Sequence, residues 1–456
     1  MKKYLRPFNF AKMQNVEDFS RVMNEAGLTY PVDENVDVLA EPIRIGNKVI
    51  PNRICSQPCE GFDSMPDGNP SELDIRRYKR IAGGGCGLVW YESIAISEDG
   101  RCNPLQMVIR PSTVRGIRHM VDEANKEALK NFGRKPYNVL QLTHSGRRAN
   151  DHNWKSQPLA VCENPYMDDH NSIDGSSGKI TIADDHKIQE IIRGFIDGAI
   201  LAQQCGFDAV DVKVCHEYIL RELLSAFTRP GQYGGSFENR TRALFEIIDG
   251  IRENCGDSID ICVRLNAYDC VPYPYGWGMK MEDGVMAPDL TEPIKLCKLL
   301  IEKGVKLIDL STMMPRYQPY GRGLMAEHED GPDAEINPYK GCFDLWKATK
   351  EIKEAVPEGI FVCTGLTWME QFGGNVAAGG INQGWFDIGG FGRQLTAYPD
   401  FAKDLLRNKA MDRKKCCVLC DKCYDLIQIG HCQTGCVMRD SEVYMPFYKK
   451  NVLKKD

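Results

Sequence analysis

The chain has 456 residues, 43% of them hydrophobic and 26% charged, which suits a globular protein of one large domain or two to three small ones. A net charge of -6 with no basic block argues against a nucleic-acid surface, because nothing would displace counterions from phosphates. The N-terminal MKKYLRPFNFAKMQ lacks the apolar segment of a secretory signal, and no run approaches the ~18 apolar residues of a membrane span, so a cytoplasmic protein without membrane contact is expected.

Residues 1–38 read as an extension. Asn15 caps a short helix with Val16, Phe19, Met23 and Ala26 on one face and Gly27 at its end. Eight short apolar or β-branched runs then alternate with helical patterns: Arg53–Gln57, Gly87–Ser93, Asn138–Thr143, Ala209–Val214, Asp260–Asn266, Lys306–Ser311, Ile360–Thr364 and Phe386–Gly390. Two of the helical patterns are Phe237–Asn254, with Leu244, Ile247, Ile248 and Ile251 at helical spacing, and Thr291–Lys303, with Thr291 as cap and Gly304 beyond its end. Strict strand–helix alternation implies parallel strands, and eight repeats of it point to a (β/α)8 barrel over residues 39–410. The pattern alone also admits a doubly wound sheet. The polar stretch His144–Asp185 reads as a loop excursion after the third strand.

Most of the 19 cysteines fall in apolar stretches (Cys86, Cys205, Cys262, Cys297), where a small buried hydrophobe is the ordinary reading. The exception is the segment 411–456, which carries Cys417-x2-Cys420-x2-Cys423-x12-Cys436. Four thiolates so spaced suit an iron–sulfur cluster, although a structural zinc ion uses the same donors. Cys432 would replace Cys436 only in a much shorter returning loop.

In such a barrel the chemistry sits just past the C-terminal ends of the strands. There the sequence places Gln57-Pro58-Cys59-Glu60-Gly61, Gln141-x2-His144, Lys213-x2-His216-x-Tyr218, Arg264 and Gly390-Phe391-Gly392-Arg393. An amide pairs with a heterocycle edge, a cation stabilises charge on a reduced ring, and Gly-x-Gly-Arg offers N–H groups and a guanidinium to a phosphate.

That order resembles the old yellow enzyme family from about Leu39 to Cys436. The likeness is carried by Glu41-Pro42-Ile43-Arg44-Ile45-Gly46-Asn47, Gln141-Leu142-x-His144-x-Gly146-Arg147 and above all Tyr233-Gly234-Gly235-Ser236-x-Glu238-Asn239-Arg240. The resemblance implies bound FMN near Pro58, Cys59 and Glu60, with Gln141 at its pyrimidine edge and Arg264 near N1 and O2. Gly365, Gly392 and Arg393 would take the phosphate. The family's iron–sulfur branch, with dienoyl-CoA reductase, 2-enoate reductase and trimethylamine dehydrogenase, implies a 4Fe-4S cluster on Cys417, Cys420, Cys423 and Cys436. Lys213 stands where the family more often has His, and Glu60 where it has Thr, Cys or His.

The reaction implied is reduction of an activated C=C bond in a small unsaturated substrate, with Lys213 and His216 holding its oxygen and Tyr218 donating a proton. The alternatives are an oxidative dehydrogenase or demethylase, or a non-catalytic electron carrier or zinc-stabilised binding protein. Met313, Met314, Arg316 and Tyr317 suggest an apolar pocket with one anionic anchor. Twenty residues follow Cys436, too few for the dinucleotide-binding domains of that branch. Electrons are therefore expected from a separate donor protein or directly from NAD(P)H, and a homo-oligomer stays open.

Overall fold

The runs rich in Val, Ile and Leu form strands because both of their faces are covered, and every residue of the eight barrel strands is buried. The computed structural model describes residues 8–168, 180–314 and 337–454. The strands are β1 (Ile54–Ser56), β2 (Leu88–Ala95), β3 (Tyr137–Thr143), β4 (Ala209–Val214), β5 (Asp260–Asn266), β6 (Leu307–Ser311), β7 (Phe361–Cys363) and β8 (Ile388–Phe391). Each pairs in parallel with the next, and β8 closes on β1, giving a closed (β/α)8 barrel. The doubly wound alternative is thereby excluded. Seven of the eight strands begin within a residue of their expected starts, β8 begins two residues late, and β2 ends two residues beyond its expected end, past a bulge between Tyr91 and Ile94.

The lower interior of the barrel is an apolar plug that includes Cys55, Leu88, Trp90, Val139, Ala209, Cys262, Leu307 and Ile388. Around it, helices lay apolar stripes on the strands. In Phe237–Cys255 the predicted Leu244, Ile247, Ile248 and Ile251 are all buried. The helix Thr291–Glu302 differs from its expected start: its cap is Leu290, and Thr291 is its first residue, because the Asp289 carboxylate accepts from the Thr291 N–H at 3.0 Å.

The N-terminal helix Val16–Glu25 is capped by Asn15, which accepts from the Asp18 N–H, and it buries Phe19 and Met23. Ala26 lies outside that face, exposed at the helix end. The segment is sealed onto the barrel wall by Phe19 stacking on Phe372 at 4.7 Å and by the Tyr30 hydroxyl donating to the Tyr339 carbonyl at 2.8 Å.

The helix Glu72–Gly83 anchors the cysteine-rich segment. Arg76 grips Asp440 through two nitrogens at 2.7 and 2.9 Å, and buried Arg77 bridges Asp63 and the Thr434 carbonyl. The Tyr444 hydroxyl donates to the same Asp63 at 2.9 Å. In the excursion after β3, buried Arg147 is held between Asp168 and Glu222, so this arginine of the sequence motif ties the loop down. Among the described residues, no helix is long and apolar enough to cross a membrane.

Candidate active site

Above the apolar plug a polar layer crosses the barrel. Register sets Gln141 beside Asp211, and Arg264 between Lys213 and Asp309. Asp211 accepts from Trp90 Nε1 at 3.0 Å and Gln141 Nε2 at 2.6 Å on one oxygen, and from the Arg264 backbone N–H at 2.7 Å on the other. Asp309 accepts from Gln57 Nε2 at 3.0 Å, and its second oxygen lies 2.9 Å from Arg264 Nε. Burial pushes the Asp211 carboxyl up to about 7, against hydrogen bonds from Gln141 and the Arg264 N–H, and pushes Asp309 up to about 6, against Arg264 and Gln57. Burial also opposes the charge on Arg264, but the Asp309 carboxylate keeps its pKa above the ordinary arginine value. The carbonyl oxygens of Gln57 and Gln141 are buried and have no hydrogen-bond partner.

The rim above this layer gathers the residues expected to do chemistry. Lys213 Nζ lies 2.9 Å from Glu60 Oε1 and 3.2 Å from Ser93 Oγ, and Ser93 donates to the same Glu60 oxygen at 2.8 Å. The ammonium sits 3.7 Å from the centre of the Tyr218 ring, whose hydroxyl reaches Glu60 Oε1 at 3.4 Å. Burial alone would raise the Glu60 pKa, but the Lys213 charge and the hydrogen bonds from Lys213 and Ser93 outweigh it and hold the carboxyl at about 2. His216 stands on the same rim, its ring 6.5 Å from that of Tyr218, with φ +60 and Nε2 3.1 Å from Ser311 Oγ. Burial, together with the cations Arg264 and Lys213, drives its pKa well below the ordinary value, so His216 is a neutral imidazole. Cys59 is a neutral thiol, pushed up to about 11 by burial and by neighbouring Glu60.

At β8 the backbone comes close to these groups. A Cβ on Gly390 would fall 2.2 Å from Gln57 Nε2, and one on Gly392 would fall 3.0 Å from Cys59 Sγ. Gly365, beyond β7, has φ +92, a conformation open to glycine without strain. Arg393 faces the C-terminal segment: it pairs with Asp421, lies 5.2 Å from the Trp368 ring centre, and lines a small cavity together with Cys417, Cys420, Cys423 and Cys436. The four cysteines thus share one cavity. Among the described residues, no three His, Cys, Asp or Glu side chains are drawn into a metal-binding group. Of the suggested pocket residues, Met313 and Met314 are buried at the end of β6, while Arg316 and Tyr317 lie outside the described residues.

Residues 38–292, more than half of the chain, match the model of the NADH:flavin oxidoreductase / NADH oxidase family. The chain belongs to this family. It is similar to the NADPH dehydrogenase of Bacillus cytotoxicus, 29% identical over 279 residues that cover 60% of this chain and 71% of the relative. It is also similar to the NADH oxidase of Thermoanaerobacter brockii, 27% identical over 376 residues that cover 82% of this chain and 51% of the relative. A structure of a 2-naphthoyl-CoA reductase with 2-naphthoyl-CoA superposes with a TM-score of 0.71 at 22% identity, covering 88% of this chain and 57% of that one. The chain therefore spans about half the length of the NADH oxidase and of the 2-naphthoyl-CoA reductase.

The site fits the flavin of the NADH:flavin oxidoreductase family. Two orphaned buried acceptors, Gln57 Oε1 and Gln141 Oε1, suit a ring edge that donates hydrogen bonds, and Arg264 supplies a fixed cation beside them. At 390 and 392 a side chain would instead run into Gln57 and Cys59, so these glycines let β8 pack closely on the residues after β1. The cysteine donor set fits a four-thiolate cluster, and equally zinc. Sequence reasoning missed Asp211, Asp309 and Ser93. A carboxylate inside each of the apolar runs Ala209–Val214 and Lys306–Ser311 was the available signal, since a charge in a strand buried on both faces needs a partner.

Proposed function

We propose that this chain is a flavin-dependent ene-reductase acting on activated C=C bonds in enones, enoates or enoyl thioesters. The observation that carries this reading is the Glu60–Lys213–Tyr218 cluster at the strand ends, where a paired ammonium and a phenol stand together above the fixed cation Arg264. Bound FMN would supply hydride chemistry, and a 4Fe-4S cluster on Cys417, Cys420, Cys423 and Cys436 would supply single-electron chemistry. Pro58, Cys59, Glu60, Gln141, Arg264, Gly365, Gly392 and Arg393 are the residues assigned to hold the FMN.

Lys213 and His216 hold the substrate oxygen and favour the negative charge that grows there. Preorganised donors of this kind contribute several kcal/mol to a transition state, because they need no reorganisation as charge appears. As a neutral imidazole, His216 acts by hydrogen bonding, and Lys213 brings the only positive charge of the pair. Glu60 fixes the lysine against the Tyr218 ring, and Tyr218 delivers a proton from its hydroxyl to the α-carbon. Electrons come from a separate donor protein or from NAD(P)H.

The test is an anaerobic assay of FMN-loaded protein with a panel of enones and enoates and a reduced dye, followed by product analysis. Saturated products support the reading. Absence of saturated product across the panel, with oxidation of amines instead, overturns it.

A further inference from the structure

Gln141 and Gln57 share an arrangement that neither amide dictates alone. An amide side chain is a donor at one end and an acceptor at the other, and the two ends exchange by a half-turn of the terminal bond. In both residues the Nε2 end is turned onto a buried carboxylate, Asp211 for Gln141 at 2.6 Å and Asp309 for Gln57 at 3.0 Å. A carboxylate only accepts, so it rejects the carbonyl end of either amide. Both carbonyl oxygens are consequently left buried without a protein donor, which costs free energy unless a ligand supplies one. Asp211 is itself locked, with Trp90 Nε1 at 3.0 Å on the same oxygen and the Arg264 N–H at 2.7 Å on the other, so it cannot turn away. Both aspartates and Gln141 are fully buried, which removes water as an alternative partner.

We infer that Asp211 and Asp309 are positioning residues that lock these two amides with their acceptors outward, so that the cofactor site selects a ring whose imide edge donates a hydrogen bond. This rests on the flavin reading above and deepens it: the choice of ring edge at Gln141 is made by Asp211, one step beneath the cofactor.

The probes are FMN and 3-methyl-FMN, which differ only at ring position N3, where a methyl group replaces the donor hydrogen. Full-length protein freed of cofactor is titrated with each, and flavin fluorescence quenching gives both dissociation constants at pH 8.5, where Asp211, with its carboxyl pushed up to about 7 by burial, is ionised. Wild-type protein should prefer FMN by about tenfold or more, the worth of one buried hydrogen bond. In Asp211→Asn the new side chain offers an N–H of its own, the Gln141 amide turns over, and the ratio should fall to within about threefold of unity.

Tight binding of both flavins by wild-type protein with a ratio near one overturns the inference and leaves the functional reading standing, and this arm needs no variant to fold. An Asp211→Asn protein that keeps the wild-type ratio overturns it as well. If wild-type protein binds neither flavin, the functional reading falls and takes this inference with it.

Discussion

Lys213 and Glu60 meet as an ion pair between a buried ammonium and a half-buried carboxylate, Nζ to Oε1 at 2.9 Å, and the same ammonium rests 3.7 Å from the centre of the Tyr218 ring. Neutralising Glu60 leaves the buried Lys213 charge uncompensated, so this contact couples stability to the protonation of Glu60. The Glu60 carboxyl is held at about 2, below the ordinary 4.5. Its contribution is therefore fully present above about pH 4.5 and is lost as pH falls toward 2.

Glu60→Gln should accordingly lower stability at pH 7 by on the order of 3 kcal/mol. The gap should narrow steadily below about pH 4.5, the ordinary carboxyl value. Thermal or urea unfolding of both proteins across pH 3 to 7 measures it. Equal stability at pH 7, or a gap that stays constant on acidification, contradicts the ion-pair assignment.

Tyr218→Phe deletes only the hydroxyl. Reduction of the bound flavin should be unchanged, while its reoxidation by an enone should slow by ~10²-fold or more, the usual worth of a positioned acid. A nitroalkene should be less affected, since its nitronate leaves without prompt protonation at carbon. Stopped-flow absorbance reads all three rates, and an unchanged rate with the enone would remove Tyr218 from the proton step.

His216 is neutral because burial and two nearby cations drive its pKa far down. Its imidazole should show no titration near the ordinary ~6.5, and the pH profile of turnover should carry no inflection from it there. NMR of protein labelled with 15N in the histidine rings checks this, and a His216 resonance that titrates between pH 6 and 7 would refute it.

Gly390→Ala should damage the polar layer directly. Its Cβ would fall 2.2 Å from Gln57 Nε2 and 2.3 Å from the Cys363 carbonyl, and backbone cannot give way as a flexible side chain does. Overpacking of this kind costs about 1–3 kcal/mol, and flavin affinity should fall with it. Chemical denaturation and flavin titration of the variant provide the comparison; wild-type values in both would show that β8 tolerates the methyl group.

The barrel was legible because strands buried on both faces leave continuous apolar runs, and all eight were marked to within two residues at their starts. The rim was legible in its membership, since Lys213, His216 and Tyr218 lie at a strand end, but not in its pairing. Glu60 and Lys213 are 153 positions apart, and only barrel closure brings β1 and β4 to one opening. Arg393 shows the same limit: its place after β8 was legible, but its pairing with Asp421 was not, because that residue comes from a segment whose docking no local pattern announces. Asp211 and Asp309 were visible as charges in apolar strands, yet their role as acceptors for two amides depends on which residues share a level across the barrel.

The most direct test of the account is anaerobic mixing of FMN-loaded, fully reduced protein with 2-cyclohexenone, followed by flavin absorbance and product analysis. The account predicts recovery of the oxidised flavin spectrum with one cyclohexanone formed per flavin. A flavin that stays reduced in the presence of cyclohexenone and of every other enone and enoate tried, in a protein that reoxidises normally with an artificial acceptor, would contradict it.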